Sequence, residues 1–380
     1  MLTISSHINH LSSSPLSLTY FSPPPLPLSL FLAAYDALRP TNPPDTSGFS
    51  SFSSGTVYNA GRWSLSFDAV TGGLDTLIDT ITGTTWASKK TDGSLLAWPH
   101  YVTLSSDDYA IFTGPEPGGY YPLPGDSPSW YKLGKCFPPS SRTRHLVFSL
   151  ILTSTFHLLL NAPSASDFGK PNVSSANPLH QEVDASLSAL YIKEDALVTT
   201  FLVKTVYSDQ TLHTYYGAPA ENWMTLTVPR GNDVKSTATI NVSFEIFDKT
   251  ATRLPECLFI RFNASGPVSW RVNSLDGAID PFDVVPGGNH HLHGFANDSN
   301  GGGISATNAN GKTLQITSVH IGLAGFGRPT SLPAPVFSNS TDPTEGANFN
   351  LWNNLWGTNY PMWTQSTDAN QRWDFAITAV

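Results

Sequence analysis

A chain of 380 residues with a formal net charge of −9 has no basic face for phosphate groups, which excludes nucleic acid and anionic membrane surfaces as partners. Only 13% of the residues are charged, and Gly (29) and Pro (30) are abundant, a composition that favours strands joined by turns over helices. The length suffices for one large or two ordinary domains with a sizeable core.

Residues 1–54 are Ser-, Pro- and Leu-rich, and residues 1–35 contain no Lys, Arg, Asp or Glu; the segment reads as low-complexity and disordered. Leu26 to Ala34 is apolar but has no basic region before it. It makes a poor signal peptide, and the chain's destination, extracellular or other, is left open. Order is expected from Thr56 onward. Trp63, Leu65 and Phe67 alternate with Ser, which predicts a half-buried strand. Turns at Thr71-Gly72-Gly73 and Thr82-Gly83-Thr84 continue it into a β-meander.

Residues 134–166 break this organisation. They are rich in Phe, Leu, Ser and Pro, whose codons are mostly pyrimidine, and Gly134-Lys135-Cys136 can be encoded by GGT AAG TGC, which contains a splice-donor consensus. These 33 residues read as a translated intron inside a β-sandwich domain spanning 55–380. The competing reading is a true surface insertion, which domains tolerate cheaply. Leu146 to Leu160 within it is an apolar run of about fifteen residues, short of the roughly 20 that span a bilayer.

His180 to Leu190 is the best helix candidate, although it reads equally as loop. From residue 198 strands dominate: Val198 to Val206; Ile240, Val242, Phe244 and Ile246, with one wet face; Leu258, Ile260 and Phe262; Trp270 and Val272; Leu314 and Ile316; Trp373, Phe375 and Ile377. No βαβ alternation occurs, so the expected fold is mainly β, a large antiparallel β-sandwich.

The chemistry-bearing positions are few. Cys136 and Cys257 stand in no metal-like pattern, and their spacing does not say whether they pair. Sequons occur at Asn172, Asn241, Asn263, Asn297 and Asn339, about as many as chance gives in so Asn-, Ser- and Thr-rich a chain. In Asn289-His-His-Leu-His293, a strand would place His291 and His293 on one side, as two metal ligands would be; histidines in a hydrogen-bonded turn are the simpler account. Asp107, Asp108, Asp276, Asp280, Asp283, Asp342 and Glu345 are available carboxylates, none in a setting that marks a glycosidic acid or nucleophile. Gly322 to Gly327 imitates a dinucleotide loop but lacks the strand and helix around it.

The run Asn348 to Trp363 holds three Trp and five Asn in sixteen residues. Such a mixture closes a β-domain with a hydrogen-bonded aromatic plug, or stacks on sugar rings. Asn353 to Trp363 followed by Trp373 to Ile377 resembles the C-terminal end of a largely fungal and bacterial branch of glycosidases related to glycoside hydrolase family 38. Ile279 to Val285 with Gly288 to His293, and Tyr58 to Trp86, resemble two earlier blocks of that branch in the same order. The likeness covers residues 55–133 and 167–380.

The resemblance implies a galactose-mutarotase-like super-sandwich and carbohydrate as ligand. It places the family's nucleophile and zinc in an N-terminal α/β barrel, the partner of the sandwich, for which the low-complexity start of this chain leaves no room. No catalytic residue and no cofactor is therefore assigned within this chain, and zinc belongs to a full-length parent. The sugar-facing edge is expected at His291, His293, Asn353, Asn354, Trp356, Asn359 and Trp363, acting by hydrogen bonding and stacking, with packing as the alternative role of each. The chain is thus expected to be the carbohydrate-associated C-terminal β-sandwich of a family-38-like glycosidase, inactive alone; a standalone carbohydrate-binding or structural sandwich is the alternative.

Overall fold

The computed structural model describes residues 39–105, 179–231, 238–252, 254–274, 277–283, 293–294, 303–329, 342–354 and 370–380. The readings made on residues 1–38 and 134–166, with Cys136, lie outside them.

Among the described residues twenty strands follow one another: β1 (Ser50–Ser51), β2 (Tyr58–Ala60), β3 (Trp63–Phe67), β4 (Leu74–Asp79), β5 (Thr84–Ser88), β6 (Leu95–Thr103), β7 (Gln181–Asp184), β8 (Ser186–Glu194), β9 (Val198–Val206), β10 (Glu221–Pro229), β11 (Thr239–Phe247), β12 (Glu256–Asn263), β13 (Val268–Ser274), β14 (Gly277–Ile279), β15 (His293–Gly294), β16 (Gly303–Asn308), β17 (Thr313–Ser318), β18 (Leu323–Phe326), β19 (Ala347–Asn353) and β20 (Gln371–Ala379). Among the described residues helix is confined to short pieces such as Lys89–Asp92 and Gln210–Tyr215. The first sheet runs β1-β8-β9-β10-β11-β20-β17-β16-β13-β14. The second runs β15-β18-β19-β12-β6-β4-β3-β2, with β5 beside β4 and β7 beside β6. Their pairings are antiparallel, as the alternating sequence patterns predict.

The two sheets close on one apolar core. Phe201, Val203, Leu226, Val242, Phe375 and Ile377 of the first meet Tyr101, Leu258, Ile260, Phe262 and Phe349 of the second. Phe375 touches both Phe262 and Phe349, at 6.0 and 5.3 Å between ring centres, and Phe67 meets Phe201 at 5.0 Å. Each such side chain removed from water contributes about 1.5–3 kcal/mol, so these contacts hold the layers together.

Two expectations change. The strand at Trp63 is buried on both faces, because Ser64 and Ser66 are covered as well and the Ser66 hydroxyl is bonded to Asp75 on β4. The helix candidate at His180 to Leu190 is extended. Residues 181–184 pair with β6 in the second sheet and residues 186–194 with β9 in the first. The chain crosses between sheets at buried Ala185, whose N–H bonds to Pro99 O. Pairing and burial of alternate residues override local helix propensity here. The first strand, Ser50–Ser51, precedes the alternation at Thr56 and pairs with Tyr191 and Ile192.

Candidate functional site

The face of the second sheet turned away from the main core carries a polar grid around a small buried apolar cluster of Val102, Leu104, Cys257 and Phe259. Antiparallel registry puts paired residues on the same side. One row is Asn350, Phe259, His100 and Asp184; the row beside it is Asn348, Arg261 and Trp98; the row on its other side is Asn353, Cys257, Val102 and Glu182. Strand β6 reaches this register through a bulge. Arg261 pairs with Trp98 but Phe262 with Leu96, so Ala97 is the extra residue, held at φ +57°. A left-handed alanine is strained, and bulges of this kind re-aim the side chains beside them.

His100 is the centre of the grid and only 4% exposed. Its Nδ1 lies 2.7 Å from Asp184 Oδ1, and Trp98 Nε1 donates to the same oxygen at 3.0 Å. Burial pushes the Asp184 carboxyl up, but the bond to His100, its charge, the Trp98 indole and the Arg261 guanidinium together hold it below its ordinary value. An ionised Asp184 holds a proton on Nδ1, which leaves Nε2 as the ring atom turned to another partner. That nitrogen is buried and makes no hydrogen bond; Glu182 Oε2 stands 4.0 Å away. Asp184 is 45% exposed at its side chain, so the pair reaches solvent along β7.

The rest of the grid is braced. The Arg261 guanidinium lies 4.9 Å from the centre of the Trp98 ring, and its Nε donates to Asn348 Oδ1 at 2.9 Å. Burial lowers the Arg261 pKa against the opposing charges of Asp184, Glu345 and Glu182. Asn348 Nδ2 donates to Gly327 O. Glu182 Oε1 accepts from Arg328 Nε at 2.6 Å and lies 3.5 Å from His180 Nε2.

Of the residues expected at a sugar edge, Asn353 joins this grid, donating from Nδ2 to Asn350 Oδ1 at 3.0 Å. Asn354, one residue on, turns away. Its Nδ2 donates to Thr252 O and Leu254 O, and its backbone N–H to Glu256 O. There it helps enclose a second ionisable pair, Lys249 and Glu256, joined at 2.6 Å with both side chains 1% exposed. Lys249 Nζ also donates to Gly217 O and lies 5.2 Å from the Trp352 ring centre. Burial lowers the Lys249 pKa to about 7. It raises the Glu256 carboxyl well above its ordinary range, although Trp352 and Asn354 pull it back. The residue before the lysine, Asp248, just past the end of β11, takes φ +55°, so backbone strain accompanies the inward turn of the lysine.

His293 lies in β15, paired with Ala324 at the edge of the second sheet. His291, Trp356, Asn359 and Trp363 lie outside the described residues, as do Asp107, Asp108 and Asp276. Asp280 is paired with Arg271 at 2.7 Å, and Asp342 caps the short turn Pro343–Glu345 by accepting from Thr344 N. Leu323–Phe326, within the glycine run, is a strand. Among the described residues no group of three His, Cys, Asp or Glu is placed to hold a metal ion. Sequence reasoning missed His100, Asp184, Glu182, Trp98 and Arg261. The available signal was the alternation of Trp98 with His100 and of Glu182 with Asp184.

No family model matches the chain, and no curated protein does. Among solved structures it is similar to a galactose mutarotase-like protein from Lactobacillus casei ATCC 334, with a TM-score of 0.36 and 7% identity over 86% of this chain and 99% of that one.

Proposed function

We propose that the outer face of the second sheet binds carbohydrate, and that the chain is the sugar-associated sandwich of a glycosidase related to family 38. The observation that carries the binding face is the buried Nε2 of His100, which has no hydrogen-bond partner. A buried polar atom left unpaired costs about 1–3 kcal/mol, and a ligand hydroxyl, which can donate or accept, would satisfy it. The terminal Asn- and Trp-rich blocks support a sugar as the source of that hydroxyl.

The grid favours neutral sugars over acidic ones. The Glu182 carboxylate lies 4.0 Å from its unused atom. Its one deeply placed cation, Arg261, already lies on Trp98 and bonds Asn348. An anionic sugar would meet repulsion there and gain no new ion pair.

Binding is favoured over hydrolysis. Asp184 is held ionised and Glu182 is tied to Arg328, so neither is placed as the protonated acid that glycosidic cleavage needs. Titration of the full chain with neutral and uronic-acid oligosaccharides tests this. Saturable binding of a neutral sugar, lost in His100→Phe, is the expected result; aryl-glycoside turnover abolished by changing a carboxylate of residues 55–380 would replace binding with catalysis.

A further inference from the structure

We propose that Asn241 is an N-glycan acceptor, with the glycan standing on the outer face of the first sheet. Two sequons fall on described residues, and the fold treats them oppositely. Asn241-Val242-Ser243 lies within β11, where alternation sends Val242 into the core and puts Asn241 and Ser243 on the outer face. Asn241 is exposed. Its registered neighbours are Thr227 on β10 and Ala376 on β20, both short, so a sugar attached to the amide has a flat floor of small side chains. The Ser243 side chain beside it is half-buried, so the amide of Asn241 is the part of the sequon that stands clear of the sheet.

Asn263-Ala264-Ser265, at the end of β12, is closed to the same attachment. Asn263 is half-buried and Ala264 buried. Gly346 packs so near that a Cβ added to it would lie 3.0 Å from the Asn263 Cβ. The Ser265 hydroxyl is committed to Asp92 Oδ2 at 2.6 Å, and the Ser265 N–H to Trp86 O. A glycan at Asn263 would have to displace this turn, whereas one at Asn241 displaces nothing.

The transfer needs a lipid-pyrophosphate-linked oligosaccharide as donor. The amide Nδ2 of Asn241 forms the bond to the sugar C1, the bond from C1 to the pyrophosphate oxygen breaks, the lipid pyrophosphate leaves with the electron pair, and the amide proton passes to a base of the transferring enzyme. The modification is independent of the sugar-binding face, which belongs to the other sheet.

The full chain should be expressed behind a secretion signal in a glycosylating eukaryotic host, treated with a peptide-N-glycosidase and mapped by mass spectrometry. Conversion of Asn241 to Asp after deglycosylation, with Asn263 unconverted, is expected. Asn241→Gln and Ser243→Ala should each remove that one glycan, with unchanged circular dichroism. An unmodified Asn241, or occupancy of Asn263 equal to it, would overturn the proposal.

Discussion

Two ionisable pairs, one anchored by Glu256 on β12 and the other by His100 on the neighbouring β6, behave differently. Lys249 and Glu256 are sealed, each 1% exposed, and the lysine is spent on its carboxylate partner, a backbone carbonyl and an aromatic ring. His100 and Asp184 open to solvent through a carboxylate that is 45% exposed, and one imidazole nitrogen is left over. A sealed pair gives a ligand nothing to recognise, and its desolvation cost makes it a poor source of stability as well. A pair whose carboxylate is open to solvent can be approached by a ligand. Each pair leaves one buried atom without a hydrogen bond, Glu256 Oε2 in the first and His100 Nε2 in the second, so neither burial nor an unspent atom separates them; the opening to solvent at Asp184 does.

The sealed pair should show the largest response to mutation. Lys249→Met leaves Glu256 buried without its partner and should cost about 3–5 kcal/mol in urea unfolding at neutral pH. Burial raises the folded-state pKa of Glu256 above its ordinary 4.5. The single variant should thus be most stable near or below pH 4.5, and lose stability as pH rises and the carboxyl must ionise. In the wild type, lysine lowered and glutamate raised share one proton in either arrangement, so this pair should add little pH dependence between their ordinary values of 4.5 and 10.5. Lys249→Met with Glu256→Leu should recover most of the loss; if the single variant unfolds like wild type, the pair is not sealed as described.

Backbone positions around the two pairs should come next. Gly217, whose carbonyl receives Lys249, sits at φ +68°, and a Cβ there would lie 2.1 Å from Thr250 O. Gly217→Ala should destabilise by about 2–3 kcal/mol through strain and displacement of that loop. At the open pair, Ala97→Val adds a β-branch at φ +57° and should cost about 1–3 kcal/mol, while weakening sugar binding because the bulge aims Trp98. Thermal melts alongside binding titrations would separate the two effects.

Smaller still are changes confined to the grid. Asp184→Asn removes the charge that fixes the His100 proton on Nδ1, and should weaken binding several-fold with little loss of stability. Wild-type binding should fall as acid titrates Asp184 through its depressed value, below the ordinary 3.8, because the stabilisation of that carboxylate is present above 3.8 and lost as pH drops. Asn353→Ala removes one bond to Asn350 and should change stability by about 1 kcal/mol at most. A tenfold loss of binding in that variant would move the ligand toward the terminal Trp- and Asn-rich run.

The strands from residue 198 onward were legible because alternation encodes which face meets the core; Val198–Val206 is a strand over its full predicted span. The grid was not legible for a different reason. Asp184 follows His100 by 84 positions, and only the registers of β6, β7, β12 and β19 bring their residues into adjacent rows. Local signals also pointed away from it. Pro99 interrupts the Trp98–His100 alternation, and residues 180–190 carried the strongest helical tendency, so the strand bearing Glu182 and Asp184 was concealed. The Asn cluster on β19 did stand out, but composition does not show that Asn354 turns to backbone carbonyls while Asn353 joins the outer face.

The most direct measurement is isothermal titration of neutral oligosaccharides into the full chain and into His100→Phe. The wild type should bind saturably, and the variant, folded to the same stability within about 1 kcal/mol, should bind at least tenfold more weakly, a difference of about 1.4 kcal/mol. Equal affinities in the two proteins would contradict the assignment of His100 Nε2, and the absence of binding in both would remove carbohydrate as the ligand of this face.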